Sequence, residues 1–475
     1  PPLSALNLVT LASAILAVAM AGVAGRGMAR RVWREGAWAE AAGLLAGALF
    51  ASSLTWWKQA VIGEVYPLHM AFVASVLALL FIGGARPALL AAWILGLGLG
   101  HHLQILPFTL VVAAYWMAAR RGRPPRAAAL GLLAPVLLYG GMLLRARHDP
   151  YYNWGNPDSL AGLWWSLSGA PYHGNLFNGG LAPFLAKLTD ALLRGPVVQL
   201  GWGGTALALL GLAVAARRAR PEALALLLLF GGASAVAAAY AIPDPAAYYL
   251  PASLAAALFA GLGGVALARF AWRSRVSWRP LRLALPAAAA AFTMACLIAQ
   301  IASVAPQADA SEDRAAYLYA RDGMRALAPG ALVLSHGDGR TFSLCYGAAV
   351  LSPRPDIVII HDSLLNWPWY RAQVARRHPE LVLPPAGRTL PVARAILIER
   401  YLDRRPVYVT DLEPELAALF TAAPAGPLYR VARQPHREAA SSGASALPAG
   451  VTGGASSEKT DRAALLPPGS ARRSP

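Results

Sequence analysis

The stretch AYYLPASLAAALFAGLGGVALA, residues 247–268, decides the class of fold. It contains no charged side chain, and it is as long as the roughly 20 apolar residues that cross a bilayer as one helix. Similar apolar blocks follow one another along the first 303 residues. They lie at about residues 5–25, 39–54, 65–84, 87–100, 104–119, 127–144, 197–215, 223–242, 247–268 and 283–303. The sequence therefore predicts a polytopic α-helical membrane protein with about ten transmembrane helices.

Two of these blocks, 87–100 and 104–119, are short for a complete span. They contain Gly96, Gly98, Gly100 and Pro107. Small residues allow helices to approach closely in a membrane, and proline interrupts helical hydrogen bonding. We expect closely packed or broken helices there.

The composition excludes several classes of protein. Of the 475 residues 57% are hydrophobic and only 14% are charged, whereas soluble domains carry about 25% charged residues. The net charge of +18 could indicate nucleic-acid binding, but the arginines fall in short loops between apolar blocks, as topology signals do. The two cysteines, Cys296 and Cys345, lie in different parts of the chain. We therefore expect no disulfide, no zinc site and no nucleic-acid partner.

The loop charges orient the chain. Five alternate loops hold 17 arginines, whereas the opposite loops hold five basic residues, Lys58, Arg145, Arg147, Lys187 and Arg194. Cytoplasmic loops are the basic ones. The loop from 145 to about 196 and everything after residue 303 are thus expected outside the cytoplasm. Three lysines against 39 arginines indicate a GC-rich bacterium, hence a multi-pass protein of the inner (cytoplasmic) membrane.

The chain changes character after residue 303. The segments ALVLSHG, DIVIIHD and PVYVT are typical of short buried strands, and helical segments alternate with them. This pattern predicts a C-terminal extracytoplasmic α/β domain over residues 304–433 with a largely parallel sheet. Residues 434–475 are rich in Ser, Gly, Ala and Pro and are predicted to be a disordered tail.

Four stretches, in chain order, resemble one bacterial membrane family, number 2723 among the domains of unknown function. They are TWWKQAVIGEVYPLHMAF (55–72), LGLGLGHHLQILPF (95–108), RARHDPYYNWGNPDSLAGLWWSLSGAPY (145–172), and HGDGRTFSLCYG with RPDIVIIHDSLLNWPWY (336–370). The third is the most specific of the four. The resemblance covers most of residues 3–430.

That family is similar to the protein O-mannosyltransferases. The similarity implies a GT-C type membrane glycosyltransferase that moves a sugar, with mannose the natural candidate, from a polyprenyl-phosphate donor to a protein or envelope acceptor on the outer face. The implied partners are the bilayer, the lipid-linked sugar as co-substrate, and the acceptor. The resemblance indicates no certain cofactor and leaves a need for divalent metal open.

The start of the chain departs from the family pattern. Family members carry a first transmembrane helix and a first outer loop with an acidic residue, expected to be the catalytic base. Here PPLSALNLVTLASAILAV, residues 1–18, resembles the part after that loop. We expect a truncated sequence rather than an inactive copy. The chain as given should insert into the membrane but not turn over.

Candidate site residues cluster at the outer ends of the apolar blocks, where ionisable groups are costly and usually functional. The catalytic candidates are Glu64 and Asp149, and the donor-phosphate candidates are Arg145, Arg147, His101 and His102, since guanidinium groups offer paired donors to phosphate. The substrate-binding candidates are Tyr66, His69, Asn153, Trp154, Asn156, Trp164, Trp165 and Tyr172, and no metal ligand is expected. Asp244, Tyr248 and Tyr249 form a further outer cluster.

Each candidate has a plainer interpretation. Glu64 could be a carboxylate favoured by a helix N-terminus, the histidines could cap a hairpin, and the arginines could anchor the chain at the interface. Asp244 could close a turn. The aromatic loop could be a helix lying on the membrane rather than a lid over the donor lipid, and its asparagines could bond the turn itself. SHGDGRTF, 335–342, lacks nucleotide-loop spacing and is taken as a structural turn.

Two other functions compete with the transferase. A transporter or flippase-like carrier with an outer binding domain should show duplicated halves and charges near mid-membrane, but no repeat is visible and the charged groups lie at the outer ends. A degenerate, non-catalytic transferase homologue is the third possibility, because the acidic loop is missing.

Overall fold

The computed structural model describes residues 2–33, 35–119, 122, 126–150, 153–242, 244–274 and 279–434. The predicted tail therefore lies outside the described residues, apart from Gln434. The chain divides into two compact units. The first unit comprises Pro1–Pro150 and Pro157–Ser311, and the second comprises Tyr151–Asn156 and Glu312–Pro475.

The first unit is helical, and each predicted apolar block falls on a helix. Its helices are α1 (Pro2–Val32), α2 (Gly36–Ala51), α3 (Leu54–Ala60), α4 (Tyr66–Ile82), α5 (Ala85–Leu99), α6 (Ile105–Ala118), α7 (Leu133–Arg147), α8 (Leu160–Leu167), α9 (Leu181–Leu193), α10 (Gly195–Arg218), α11 (Arg220–Ala239), α12 (Leu250–Trp272) and α13 (Arg279–Ala308). Short 3-10 turns occupy Arg126–Leu132, Ala170–Asn175 and Ala246–Tyr249.

Fewer than ten of these helices are long enough to cross a membrane alone. Among the described residues, six helices have the required length and apolarity, and a seventh span arises if α2 and α3, bent by 70°, are counted together. The helices α4, α5 and α6 have 17, 15 and 14 residues. At 1.5 Å per residue such helices cover roughly 21–26 Å, less than the ~30 Å hydrocarbon core. The structure thus gives a multi-pass membrane protein without establishing ten complete spans.

Helix α12 forms the core of the first unit. Every residue from Leu250 to Ala266 is buried. Small residues allow close packing: a Cβ atom on Gly211 of α10 would lie 1.8 Å from the Phe259 carbonyl oxygen. The predicted close packing around Gly96 is also found, because a Cβ atom there would lie 2.0 Å from the Gly131 carbonyl oxygen.

The second unit is an α/β fold with a five-stranded mixed sheet. Its elements are α14 (Ala315–Ala326), β1 (Leu332–Ser335), α15 (Asp338–Tyr346), β2 (Val358–His361), α16 (Pro368–Arg377), α17 (Leu390–Tyr401), β3 (Val407–Val409), α18 (Pro414–Ala417), β4 (Phe420–Ala425) and β5 (Leu428–Arg433). The strand order is β2-β1-β3-β5-β4. Strand β1 is parallel to β2 and β3, whereas β5 is antiparallel to β3 and β4. Strands β1–β3 lie in the three segments expected from sequence.

The boundaries of the units differ from the predicted ones. Helix α13 continues to Ala308, so the division falls at Ser311 rather than at residue 303. The segment 151–156, expected within the aromatic loop 145–196, groups with the second unit. The physical reason includes a contact between segments distant in sequence: the Gln373 side-chain amide donates to the Asn153 carbonyl oxygen at 2.5 Å.

Candidate functional site

Three elements of the first unit bring aromatic and imidazole rings together at one end of the helices. Helix α4 begins at Tyr66, where Pro67 occupies the first turn, as proline favours. Gly100 ends α5, so the chain turns through His101 and His102 before α6. The 3-10 turn before α12 supplies Tyr248.

We call Tyr66, His69, His101, His102 and Tyr248 the histidine–tyrosine cluster. The ring centroid of His102 lies 5.2 Å from that of His69, 5.7 Å from that of Tyr66 and 6.2 Å from that of Tyr248. The two tyrosine rings are 6.2 Å apart. The candidates Tyr66 and His69 from one sequence stretch and the His101–His102 pair from another are thus neighbours.

The hydrogen bonds of the cluster define the tautomer of His102. The Gln104 backbone N–H donates to His102 Nδ1 at 3.2 Å, so the proton of the neutral ring belongs on Nε2. Burial, with a smaller contribution from His101, lowers the pKa of His102 to about 4. The ring is therefore neutral at pH 7 and offers an N–H donor. His101 Nε2 lies 3.1 Å from the Val65 carbonyl oxygen, and the Gln104 side-chain amide donates to the Tyr248 carbonyl oxygen at 2.6 Å.

His69 is the most enclosed member of the cluster. It is 1% exposed, and neither of its ring nitrogens has a hydrogen-bond partner in the described part of the chain. Buried polar atoms without partners are rare and cost free energy. His69 is therefore a polar group that a ligand hydroxyl or phosphate oxygen could satisfy.

Glu64 lies immediately before α4, beside the cluster. Its side chain is accessible, yet partial desolvation raises its carboxyl pKa, and the Asp244 carboxylate adds to the rise. The Val65 backbone N–H opposes this shift. A carboxyl group with a raised pKa suits general acid–base chemistry. Asp244 Oδ1 accepts the Ala246 N–H at 3.2 Å, which agrees with its plainer role in a turn.

The arginines predicted for the donor phosphate lie at the C-terminal end of α7. Arg145 and Arg147 are exposed, and Arg147 Nε donates to the Asp158 carbonyl oxygen at 3.0 Å. No hydrogen bond, ion pair or ring contact joins either arginine to the histidine–tyrosine cluster within the described residues. Asp149 follows the helix end with a φ of 43°. The Tyr139 hydroxyl donates to the Leu99 carbonyl oxygen, so α7 runs along α5 toward the same turn.

Residues 157–194, the part of the aromatic loop that belongs to the first unit, pack beside the turn at His101 and His102. The Phe177 N–H donates to the Ala239 carbonyl oxygen and the Ala241 N–H donates to the Asn175 carbonyl oxygen, both at 2.8 Å. The Tyr240 ring lies 5.1 Å from that of Tyr248. These hydrogen bonds and the ring contact hold the loop next to the histidine–tyrosine cluster.

The tryptophans of this loop are not buried by the protein. Ser159 caps α8, since its hydroxyl accepts the Gly162 N–H at 3.1 Å. Trp164 on this helix is 71% exposed, Trp165 is half-buried and Tyr172 is 46% exposed. Their exposure fits either of the predicted roles, interfacial anchoring or contact with a lipid.

The remaining predicted substrate residues belong to the second unit. Asn153 Nδ2 donates to Asn156 Oδ1 at 2.6 Å, and Asn156 has a φ of 45°. The two asparagines therefore bond their own turn. The Trp154 ring lies 5.6 Å from that of Trp369 and 6.2 Å from that of Phe342.

The second unit also contains a charged network at the carboxyl ends of its parallel strands. Arg394, completely buried, lies 3.2 Å from Asp362, 3.1 Å from Asp411 and 3.2 Å from Glu413. His336 Nδ1 lies 3.0 Å from Asp362 Oδ1, and this hydrogen bond raises the pKa of His336. The neighbouring Gly337 has a φ of 80°, as the structural-turn interpretation of SHGDGRTF requires.

Sequence reasoning missed two members of the site region, Gln104 and Tyr240. Gln104 stands two residues after His102, and its polarity beside an apolar helix was a usable signal. Tyr240 ends an alanine-rich helix without any motif. Throughout the described ranges, no group of three or more His, Cys, Asp or Glu side chains is arranged to hold a metal ion.

Comparisons with known proteins agree in part with the sequence resemblance. Residues 3–124 match the family model described as the N-terminal domain of the protein O-mannosyl-transferase TMEM260. This range covers α1–α6 and includes Glu64 and four members of the histidine–tyrosine cluster. No curated protein matches the chain.

Solved structures with a similar arrangement include two of ArnT from Cupriavidus metallidurans. The apo structure aligns with a TM-score of 0.43 at 14% identity, covering 81% of this chain and 82% of that one. The structure bound to undecaprenyl phosphate aligns with a TM-score of 0.46 at 15% identity, with the same coverage.

Proposed function

We propose that this protein is a membrane glycosyltransferase that transfers a sugar from a polyprenyl-phosphate donor to a protein or envelope acceptor. The observation that carries the proposal is the family-model match over residues 3–124. That range supplies a carboxyl group and the neighbouring rings of one local cluster. Mannose is the first sugar to test, since the matched model carries the O-mannosyl-transferase name.

The chemistry of the cluster supports this proposal. Glycosyl transfer needs a group that takes the acceptor proton and groups that stabilise the departing phosphate. Glu64, whose pKa is raised, is the proposed acid–base residue or acceptor-orienting group. His102 and His69 are proposed to hydrogen-bond phosphate or sugar oxygens, with Tyr66 and Tyr248 as walls.

Two features outside the cluster complete the proposal. Arg145 and Arg147 are exposed cations at the end of α7, close in sequence to the aromatic loop, and are proposed to attract the donor phosphate. Asp149 is kept as a second carboxylate candidate. We propose that Trp164, Trp165 and Tyr172 contact the lipid donor at the interface.

The decisive experiment is a transfer assay. A version extended upstream, which carries the first helix and acidic outer loop that the resemblance implies, is reconstituted in lipid vesicles with a polyprenyl-phosphate sugar and cell-envelope acceptors, and labelled glycan product is measured. Wild type should form product, and Glu64→Gln should lower the rate by roughly 10²-fold, within the range for loss of a general acid–base group. Glu40→Gln is the matched control, because Glu40 pairs with Arg26 and Arg30 instead.

If no donor gave product and the protein took up a solute, the proposed function would be that of a carrier and not of a transferase. Equal rates for wild type and Glu64→Gln would remove Glu64 from the chemistry.

The proposed orientation has its own test. The arginine-poor loops and the second unit are proposed to face away from the cytoplasm, as the 17-to-5 split of basic residues favours. With Cys345 replaced by serine, a cysteine at exposed Val382 should react with an impermeant thiol reagent in intact spheroplasts. Labelling only after lysis would reverse the orientation.

A further inference from the structure

The second unit contains a cavity of about 430 Å³ that the proposed chemistry does not use. This volume lies within the roughly 300–1,000 Å³ typical of small-molecule sites. Aromatic side chains line it, among them Trp154, Phe342, Tyr346 and Trp369. The cavity is formed by α15, β2, α16 and the 153–154 segment.

Two polar atoms in the cavity lining have no hydrogen-bond partner among the described residues. They are His361 Nδ1 and Trp369 Nε1. His361 is 5% exposed, and its Nε2 lies 2.8 Å from Asp338 Oδ1. Because Nε2 donates its hydrogen to this carboxylate, Nδ1 of the neutral ring is an acceptor. The residues that line the cavity therefore hold one unused acceptor and one unused N–H donor.

A ligand of this cavity should offer an apolar face to the aromatic rings and hydrogen-bonding groups to the two polar atoms. A pyranose ring has an apolar C–H face that packs on an aromatic ring and hydroxyl groups that both donate and accept hydrogen bonds. The tilted pair Trp154 and Trp369, with 5.6 Å between ring centroids and 52° between planes, offers such a face. An isoprenoid chain would fill the apolar space but leave both polar atoms unsatisfied, which is unfavourable.

We infer that this cavity binds a pyranose ring of a glycan acceptor. The inference rests on the proposed function and deepens it, since it identifies the acceptor of the transferase as a carbohydrate held by the second unit. Trp154 and Trp369 stack on the sugar, Trp369 Nε1–H donates to one hydroxyl group, and His361 Nδ1 accepts from another.

The test is a binding measurement on the full chain in lipid nanodiscs without any donor. The probes are methyl pyranosides of manno, gluco and galacto configuration, with cyclohexanol as an apolar ring and a blocked Ala-Ser-Ala tripeptide as a peptide acceptor. Saturation-transfer NMR and tryptophan fluorescence report the affinity. At least one pyranoside should bind saturably, and more tightly than cyclohexanol or the tripeptide.

Variants separate stacking from hydrogen bonding. Trp369→Phe keeps a ring but removes the N–H group, and should weaken pyranoside binding about fivefold, the effect of one hydrogen bond. Trp154→Ala should weaken it about tenfold or more. Tyr317→Ala, an exposed aromatic residue on α14 of the same unit, should leave affinity unchanged. Thermal unfolding of each variant checks that it is folded.

The result that overturns the inference is the absence of pyranoside binding, equal binding in the Trp369→Phe and Trp154→Ala variants, or tighter binding of the tripeptide or cyclohexanol. Glu64→Gln separates the two proposals, because it should lose transfer and keep pyranoside binding. Binding without any transfer by wild type would contradict the proposed function alone, whereas transfer without binding would contradict this inference alone.

Discussion

Two histidines of this protein, His102 in the first unit and His336 in the second, have pKa values shifted in opposite directions. In the first unit, His102 lies among rings and beside His101, so burial lowers its pKa to about 4. In the second unit, His336 bonds the buried Asp362 carboxylate, and its pKa rises. The first arrangement keeps the His102 ring neutral at pH 7. The second neutralises its charges internally, which is typical of a structural network.

From this comparison we expect the charged network to affect stability and the histidine–tyrosine cluster to affect ligand binding. The partners of Arg394 are three carboxylates of its own unit. His69, in contrast, has two ring nitrogens that no described residue satisfies. Substitutions in the two regions should therefore affect different measurements.

The largest predicted effect on stability concerns Arg394. Arg394→Met removes a buried cation and leaves Asp362, Asp411 and Glu413 without it, so the second unit should lose about 3–5 kcal/mol of unfolding free energy. Denaturant unfolding monitored by fluorescence measures the change. Arg433→Met is the matched control: its pairs with Glu399 and Asp403 are partly exposed, and should be worth about 1 kcal/mol or less. Equal losses of unfolding free energy in Arg394→Met and Arg433→Met would show that the buried network contributes no more than surface ion pairs do.

A smaller effect is expected for Arg147, measured as transfer rather than stability. Arg147→Ala should lower the rate from a polyprenyl-phosphate sugar roughly tenfold or more, since one charge-assisted hydrogen bond contributes about 1.5–3 kcal/mol. Arg147→Lys should recover only part, because an ammonium group lacks the planar pair of donors. Arg217→Ala, in the last turn of α10, is the control. An unchanged rate in Arg147→Ala at normal protein level would assign this residue to anchoring.

The smallest effects should appear in the pH dependence. The raised pKa of His336 stabilises the fold fully below about pH 6.5, its unfolded value, and this contribution is lost as pH rises through the folded pKa. The lowered pKa of His102 has the opposite sign, because protonation in the unfolded state costs stability as pH falls from about 6.5 toward 4. Melting temperatures of His336→Gln and His102→Gln at pH 5.5 and 8 measure both. If the melting temperatures of the two variants changed with pH in the same direction, the predicted difference between His336 and His102 would be wrong.

Local features of the chain were predictable from sequence, whereas contacts between distant segments were not. The apolar blocks became helices because their signal lies within about 20 residues, and β1–β3 followed from short buried segments between turns. The β4–β5 hairpin was missed, since Pro424 inside β4 and an alanine-rich pattern do not indicate a strand.

The candidate site shows the same limit. Glu64, Tyr66 and His69 could be predicted as neighbours of each other because Glu64 precedes α4 by two residues and the other two lie at the start of that helix. Their approach to His102 followed from the alternation of helix directions. The bond from Gln373 to Asn153 joins residues 220 positions apart, and no local pattern indicates it. Trp154 was predicted within the aromatic loop 145–196, whereas the structure groups it with the second unit.

The grouping of residues 151–156 with the second unit has a consequence for biosynthesis. These residues leave the ribosome about 155 residues before Glu312, the start of the rest of their unit. At roughly 5–20 residues per second, Trp154 waits about 10–30 s for the strands it will pack against. During that interval helices α8–α13 are synthesised and inserted. The second unit therefore cannot complete its fold from its late-translated residues alone, because it includes a segment that was translated well before them.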